Sequence, residues 1–181
     1  MRIIAGRLKG RRLQAPAGTS VRPTSDGLRE TLFNVLGPTL EGARVLDGFA
    51  GTGALGLEAL SRGAAAIVFV ERDRRVILVL ERNIDACGAR DACAIIRDDF
   101  VGIDARDGLA GTFDLVLLDP PYDLTELDRA VETGAALVGP GGRMVLEHSR
   151  RRASPETAGS LRRTRVLVAG DSALSFYAAP A

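Results

Sequence analysis

The chain has 181 residues, 46% of them apolar and 4% aromatic, with a net charge of +1. That length supports one domain with an aliphatic core. Cys87, Cys93 and a single histidine are too few for a zinc ligand set or a disulfide framework, so no metal is expected. No apolar run reaches membrane-spanning length and no signal peptide is present, which reads as a cytosolic protein with no membrane partner.

Residues 1–16, MRIIAGRLKGRRLQAP, read as a small hairpin that carries Arg7, Lys9, Arg11 and Arg12 outward and ends at Pro16. From Met1 to Ser25 there are six cations and no acid, a distribution that suits a polyanion as well as a solvated face. Ser25 or Asp26 caps a helix with Leu28, Leu32, Phe33, Val35 and Leu36 on its apolar side, stopped by Gly37-Pro38. From Ala43 the pattern alternates. The strands are ARVLD, AAIVFVE, CAIIR, FDLVLLD and RMVLEH; the helices are Gly53 to Arg62, Arg74 to Ala86 and Glu126 to Val138. In the second of these, Val76, Val79, Leu80, Asn83 and Ile84 mark the inward face. The run FDLVLLD is nearly unbroken, as in a strand buried on both faces. RTRVLVA and ALSFYAA, joined by Gly170-Asp171-Ser172, form an antiparallel pair. The expected fold is α/β and Rossmann-like: a seven-stranded, mostly parallel sheet with an antiparallel C-terminal hairpin. A basic hairpin and helix over residues 1–40 precede a catalytic domain over 41–181.

Ligands of an open parallel sheet sit outside the carboxyl ends of its strands. Acids stand at four such ends: Asp47, Glu71, the pair Asp98-Asp99, and Asp119. Their mutual repulsion predicts raised carboxyl pKa values unless donors or a cationic ligand lie among them. Gly51, Gly53 and Gly56 have the spacing of a dinucleotide turn, with Glu71 twenty residues on. However, Gly48-Phe49-Ala50 separates the strand end from Gly51, and the Asp47 carboxylate at the mouth of the turn would repel a pyrophosphate. It suits a ligand with positive charge there, such as the ammonium or sulfonium of S-adenosylmethionine. Glu71 is placed for the ribose hydroxyls, Asp98 or Asp99 for the adenine amine, and Phe100 to flank the ring.

Asp119-Pro120-Pro121-Tyr122 follows the strand with the longest apolar run. The prolines remove two N–H donors and lock φ, which aims the Pro120 carbonyl into the cleft. The Asp119 carboxylate and that carbonyl are two acceptors for the two hydrogens of a planar exocyclic amine, and Tyr122 is placed to stack on the base. Such acceptors stabilise the positive charge that develops as the nitrogen attacks. Of the minor features, His148 reads as a hydrogen-bonded rim residue, and Arg150–Arg152 as a solvated run with RNA contact as the second reading.

These stretches resemble the RsmD family of class I S-adenosylmethionine-dependent methyltransferases. The resemblance runs through MRIIAGRLKGRRL, VRPTSDGLRETLFNVL, VLDGFAGTGALGLEALSRGA, IVFVERD and FDLVLLDPPY. It implies methyl transfer to guanine N2 in 16S ribosomal RNA, by a monomer acting on that RNA or on a small-subunit assembly intermediate. It implies cofactor contacts from Asp47, Gly48, Ala50, Gly51, Thr52, Gly53 and Gly56, from Glu71 with Arg72, and from Asp98, Asp99 and Phe100. Many relatives carry Leu at Gly48 and Ser at Thr52. Asp119 to Tyr122 would hold the target amine. Arg7, Lys9, Arg11, Arg12, Arg22, Thr24 and Arg29 would face RNA, although Arg29 equally suits a surface ion pair. The four-residue motif also occurs in adenine methyltransferases, so N6-adenine transfer on DNA or another RNA is the alternative.

Overall fold

The computed structural model describes residues 1–16, 26–103 and 108–180. Arg22, Pro23, Thr24 and Ser25, which the sequence reading assigns to RNA contact and helix capping, lie outside the described residues.

Eight strands form one sheet in the order β3-β2-β1-β4-β5-β8-β7-β6. β1 (Arg44–Asp47), β2 (Ala66–Val70), β3 (Cys93–Ile96), β4 (Phe113–Leu118) and β5 (Val138–Ser149) are parallel; β6 (Thr157–Ala158), β7 (Leu161–Ala169) and β8 (Ser172–Ala178) join antiparallel. The parallel part, the antiparallel pair and the helices are as the sequence predicts. Two details differ. The two-residue β6 raises the strand count from seven to eight. β5 also starts at Val138, because the backbone of Gly139–Gly142 runs on beside β4 after ending the helix, at the cost of a register shift between Phe113 and Leu115.

Alternation along each strand builds a core on either face. Val45, Leu115, Leu117 and Val145 face one cluster with α1 (Asp26–Leu36), α2 (Ala54–Ser61) and α3 (Arg74–Ala86). Leu46, Val116, Leu118 and Leu146 face the other with α4 (Leu127–Leu137). In α3 the inward face is set one residue from the expected one: Ile77 is buried with Leu80, Asn83 and Ile84, while Val76 and Val79 are half-buried.

The N-terminal hairpin forms with its ladder reduced to a single bridge, Arg2 with Arg12. Several of its other polar groups turn to the helices. The Glu58 carboxylate accepts from the Ile4 and Ala5 amides at 2.7 and 3.0 Å, Ser61 Oγ accepts from the Leu8 amide at 2.9 Å, and Asn83 Oδ1 accepts from the Gln14 amide at 2.8 Å. Ile3, Leu8 and Leu13 enter the same apolar cluster as α1 and α2, so the extension shares its core with the sheet.

Candidate active site

One cleft of about 1020 Å³ lies along the carboxyl ends of β1 to β5, the size of a site that holds a nucleoside cofactor together with a target base. All four predicted strand-end acids line it.

Asp47 closes β1 and is 1% exposed. Its Oδ2 accepts from the Gly56 amide in the first turn of α2 at 2.9 Å. A carboxylate therefore fills the position at a helix N-terminus that a pyrophosphate would take, which is the physical reason a dinucleotide does not suit this turn. The other oxygen, Oδ1, is buried without a hydrogen-bond partner among the described residues. Burial first, then Asp119 and Glu71, push this carboxyl up to about 7. A buried acceptor with nothing donating to it is the feature an incoming ammonium group satisfies.

The glycines serve different ends. Gly51, at φ +53°, donates its amide to Glu71 Oε2 at 3.0 Å, so the acid after β2 holds the turn as well as facing the cleft. Gly53 (φ +81°) and Gly56 do not line the cleft: a Cβ would meet Leu80 at 2.4 Å in the first and Phe69 at 2.3 Å in the second. They seat α2 against its neighbours. At Gly48 a Cβ would meet Leu118 at 2.6 Å and the Phe100 ring at 2.8 Å. The departure from Leu at this position makes room for Phe100, which is 2% exposed and pairs with Phe49 at a centroid distance of 5.1 Å. Thr52 is buried, its carbonyl accepting from Asn83 Nδ2 at 2.9 Å. Ala50 lines the cleft beside it.

After β3, Asp99 Oδ1 accepts from the Val101 amide at 3.2 Å and Oδ2 from Arg72 at 2.9 Å. Asp98 is exposed and spends Oδ1 on the Asp99 amide at 2.7 Å. Arg72 thus reaches across two strand ends to brace Asp99.

At the end of β4, Asp119 is half-buried, Pro120 buried, and Pro121 and Tyr122 exposed. The Tyr122 hydroxyl lies 2.5 Å from Ser172 Oγ and 3.4 Å from Glu147 Oε1. Burial raises its pKa first, with Glu147 and Asp119 adding to the rise and the bond to Ser172 opposing it. The β7–β8 turn, Gly170 to Ser172, and the 6%-exposed Glu147 complete this wall.

Among the remaining predicted residues, Arg29 makes the ion pair that is one of its two readings, but in the interior and not at the surface. It is 0% exposed, bonded to Asp26 Oδ1 at 2.8 Å and to the Arg2 carbonyl at 2.7 Å, with Glu58 at 3.9 Å. It is an interior staple with no face toward RNA, because the hairpin covers it. Arg7, Lys9, Arg11 and Arg12 are exposed as expected. Arg7 Nε donates to the Leu60 carbonyl and Arg11 to the Ala86 carbonyl, at the C-termini of α2 and α3. The cleft lies at the N-terminus of α2, a helix about 12 Å long by its rise, whereas the C-terminal half of α3 lies nearer to it, since Asn83 Nδ2 donates to the carbonyl of the cleft-lining Thr52 at 2.9 Å.

His148, 5% exposed, bonds to Ser175 Oγ at 2.9 Å and to the Arg152 carbonyl at 2.8 Å, outside the cleft, in keeping with a hydrogen-bonding role. The run beside it is solvated in part, as expected. Arg150 and Arg151 are exposed, and Arg150 bonds to the Asp171 and Gly170 carbonyls on the cleft wall. Arg152 bonds to the Leu124 carbonyl just beyond the proline motif. Phe49, Glu147 and Ser172 were missed as site residues. Glu147 had a signal: it is a fifth acid at a fifth strand end.

A parallel sheet reversed at β1, closed by an antiparallel pair and carrying acids, a glycine turn and Asp-Pro-Pro-Tyr along its carboxyl edge, defines a class I methyltransferase. The family model described as conserved hypothetical protein 95 matches residues 1–178, and the chain belongs to this, the RsmD family. It is 38% identical over 184 residues to YlbH of Bacillus subtilis, covering 98% of each chain; the name of that protein places it, provisionally, among rRNA methyltransferases. It is 43% identical over 122 residues to ribosomal RNA small subunit methyltransferase D of Escherichia coli, spanning 67% of this chain and 60% of that one. The solved structure of yhhF from Escherichia coli, also described provisionally as a methyltransferase, superposes with a TM-score of 0.81 at 34% identity, over 98% of this chain and 96% of that one.

Proposed function

We propose that this methyltransferase uses S-adenosylmethionine to methylate the exocyclic N2 amine of a guanine in small-subunit ribosomal RNA, free or in an assembling particle. The observation that carries the reading is the juxtaposition, in one cleft, of the orphaned Asp47 Oδ1 with Asp119-Pro120-Pro121-Tyr122. When bound, S-adenosylmethionine supplies a methyl group on a positively charged sulfur. Asp47 would hold its ammonium and Glu71 its ribose. Asp99, oriented by Val101 and Arg72, would accept from its adenine amine, with the Phe49–Phe100 pair beside the ring.

The Asp119 carboxylate and the Pro120 carbonyl accept the two amine hydrogens of the target and pull its lone pair out of conjugation. Asp119 then takes the proton that the methylated nitrogen sheds. Tyr122 packs on the base, which must be unpaired or flipped to reach the cleft. The names of the relatives support ribosomal RNA as the substrate. Asp119→Ala is expected to lower methyl transfer about a hundred- to a thousandfold, as loss of a preorganised polar group does, with cofactor affinity within about threefold of wild type. Tritium transfer to ribosomal RNA from a strain lacking the enzyme, with calorimetry for the cofactor, checks both. Near-wild-type turnover in the variant would refute the mechanism.

A further inference from the structure

Asp-Pro-Pro-Tyr recognises an exocyclic amine, and three nucleobases carry one. They differ in the ring atom next to it on the Watson–Crick edge. Adenine and cytosine place a bare nitrogen acceptor beside the amine; guanine places the N1–H donor there, on the edge that remains readable once a base is unstacked. A buried carboxylate at that position accepts from guanine and repels the lone pair of the other two.

Glu147 has the required character. It closes the wall opposite the cofactor turn, at the end of β5, the strand next to the one bearing Asp119. It is 6% exposed, and its Oε1 lies 3.4 Å from the hydroxyl of Tyr122, the residue that would pack on the base. Register on β8 holds it opposite Leu174, and the adjacent His148 points away, bonded to Ser175. We propose that the Glu147 carboxylate accepts the N1–H of the target base and so selects guanine from the bases that the proline motif alone would admit. This rests on the guanine-N2 reading above and adds the residue that enforces it.

The experiment uses the full chain and small-subunit ribosomal RNA assembled with one of three bases at the methylated position: guanine, 2-aminopurine, or 1-deazaguanine. 2-Aminopurine keeps the 2-amine with an unprotonated N1. 1-Deazaguanine keeps both the amine and O6 but has C–H in place of N1–H. Wild type is expected to lose at least about tenfold in kcat/KM on 1-deazaguanine, the scale of one hydrogen bond to a charged group. Glu147→Gln keeps an acceptor and gains a donor, so it should narrow the preference for guanine over 2-aminopurine at least about tenfold. Its melting temperature and cofactor affinity should stay near wild type. A loss under threefold on 1-deazaguanine overturns the proposal without needing the variant to fold; an unchanged base ratio in a folded variant overturns it too. Mass-spectrometric mapping of the wild-type product separates the two ideas. A methyl on adenine sinks the guanine reading, whereas a methyl on guanine N2 with no effect of these changes sinks the role of Glu147 alone.

Discussion

Asp47 carries two opposed demands. One oxygen caps α2 through Gly56, and the other is buried with no donor among the described residues. The chain holds a proton on this carboxyl to about pH 7, against 3.8 as its ordinary value. The folded state binds that proton more tightly than the unfolded chain does. The contribution to stability is therefore complete below the ordinary carboxyl pKa and is lost as pH rises to about 7. An ammonium ligand reverses the preference. Cofactor binding is expected to expel up to one proton below pH 7 and to tighten by up to about tenfold per pH unit between pH 5 and 7. Calorimetry in buffers of different ionisation heat measures the proton count. Asp47→Asn should remove it, and a pH-independent affinity in wild type would count against the ammonium contact. The sequence reading anticipated raised carboxyl pKa values from crowding; burial, which no residue spacing reveals, is the larger cause.

At the scale of elements, the hairpin is bound to the domain by a buried polar knot that hydrophobic periodicity does not show. Glu58 sits in α2 at 0% exposure and gathers the Ile4 and Ala5 amides, Arg62 at 2.7 Å and Arg29 at 3.9 Å. Removing one member of such a set leaves the others buried without compensation. Glu58→Ala is expected to cost about 3–5 kcal/mol in urea unfolding and to expose the amides of residues 3–13 to hydrogen exchange. A loss below about 1 kcal/mol would show the knot to be incidental. Most elements were legible because their apolar runs and glycine breaks are strong. The one-residue offset in α3 was not: Val76 and Ile77 are interchangeable by hydropathy, and only the packing of the folded chain buries Ile77 and leaves Val76 half-buried. Arg29 was misplaced for the same reason. A cation near a basic hairpin looks solvent-facing until the hairpin is seen to lie over it.

The whole molecule separates its cations into two regions. Lys9 and Arg12 are exposed on the N-terminal hairpin, whereas Arg150 and Arg151 flank the wall formed by Gly170 to Ser172. A flipped base in the cleft places its flanking phosphates at the rim. Arg150→Glu with Arg151→Glu should therefore weaken RNA binding more than Lys9→Glu with Arg12→Glu, and should flatten the salt dependence by about two ions. Filter binding across salt concentrations tests the ranking, and the opposite order would return the main RNA contact to the hairpin. By itself the sequence determined the alternating fold, the four strand-end acids, the glycine turn and the proline motif, because each is written in local residue spacing. The tertiary structure decided which oxygen of Asp47 stays unpartnered, which acid of the Asp98-Asp99 pair is braced, and where the cations point. It also brought Glu147, from 25 residues further along the chain, to the hydroxyl of Tyr122. Those outcomes depend on burial and on contacts between distant segments, and neither is encoded in the spacing of neighbours.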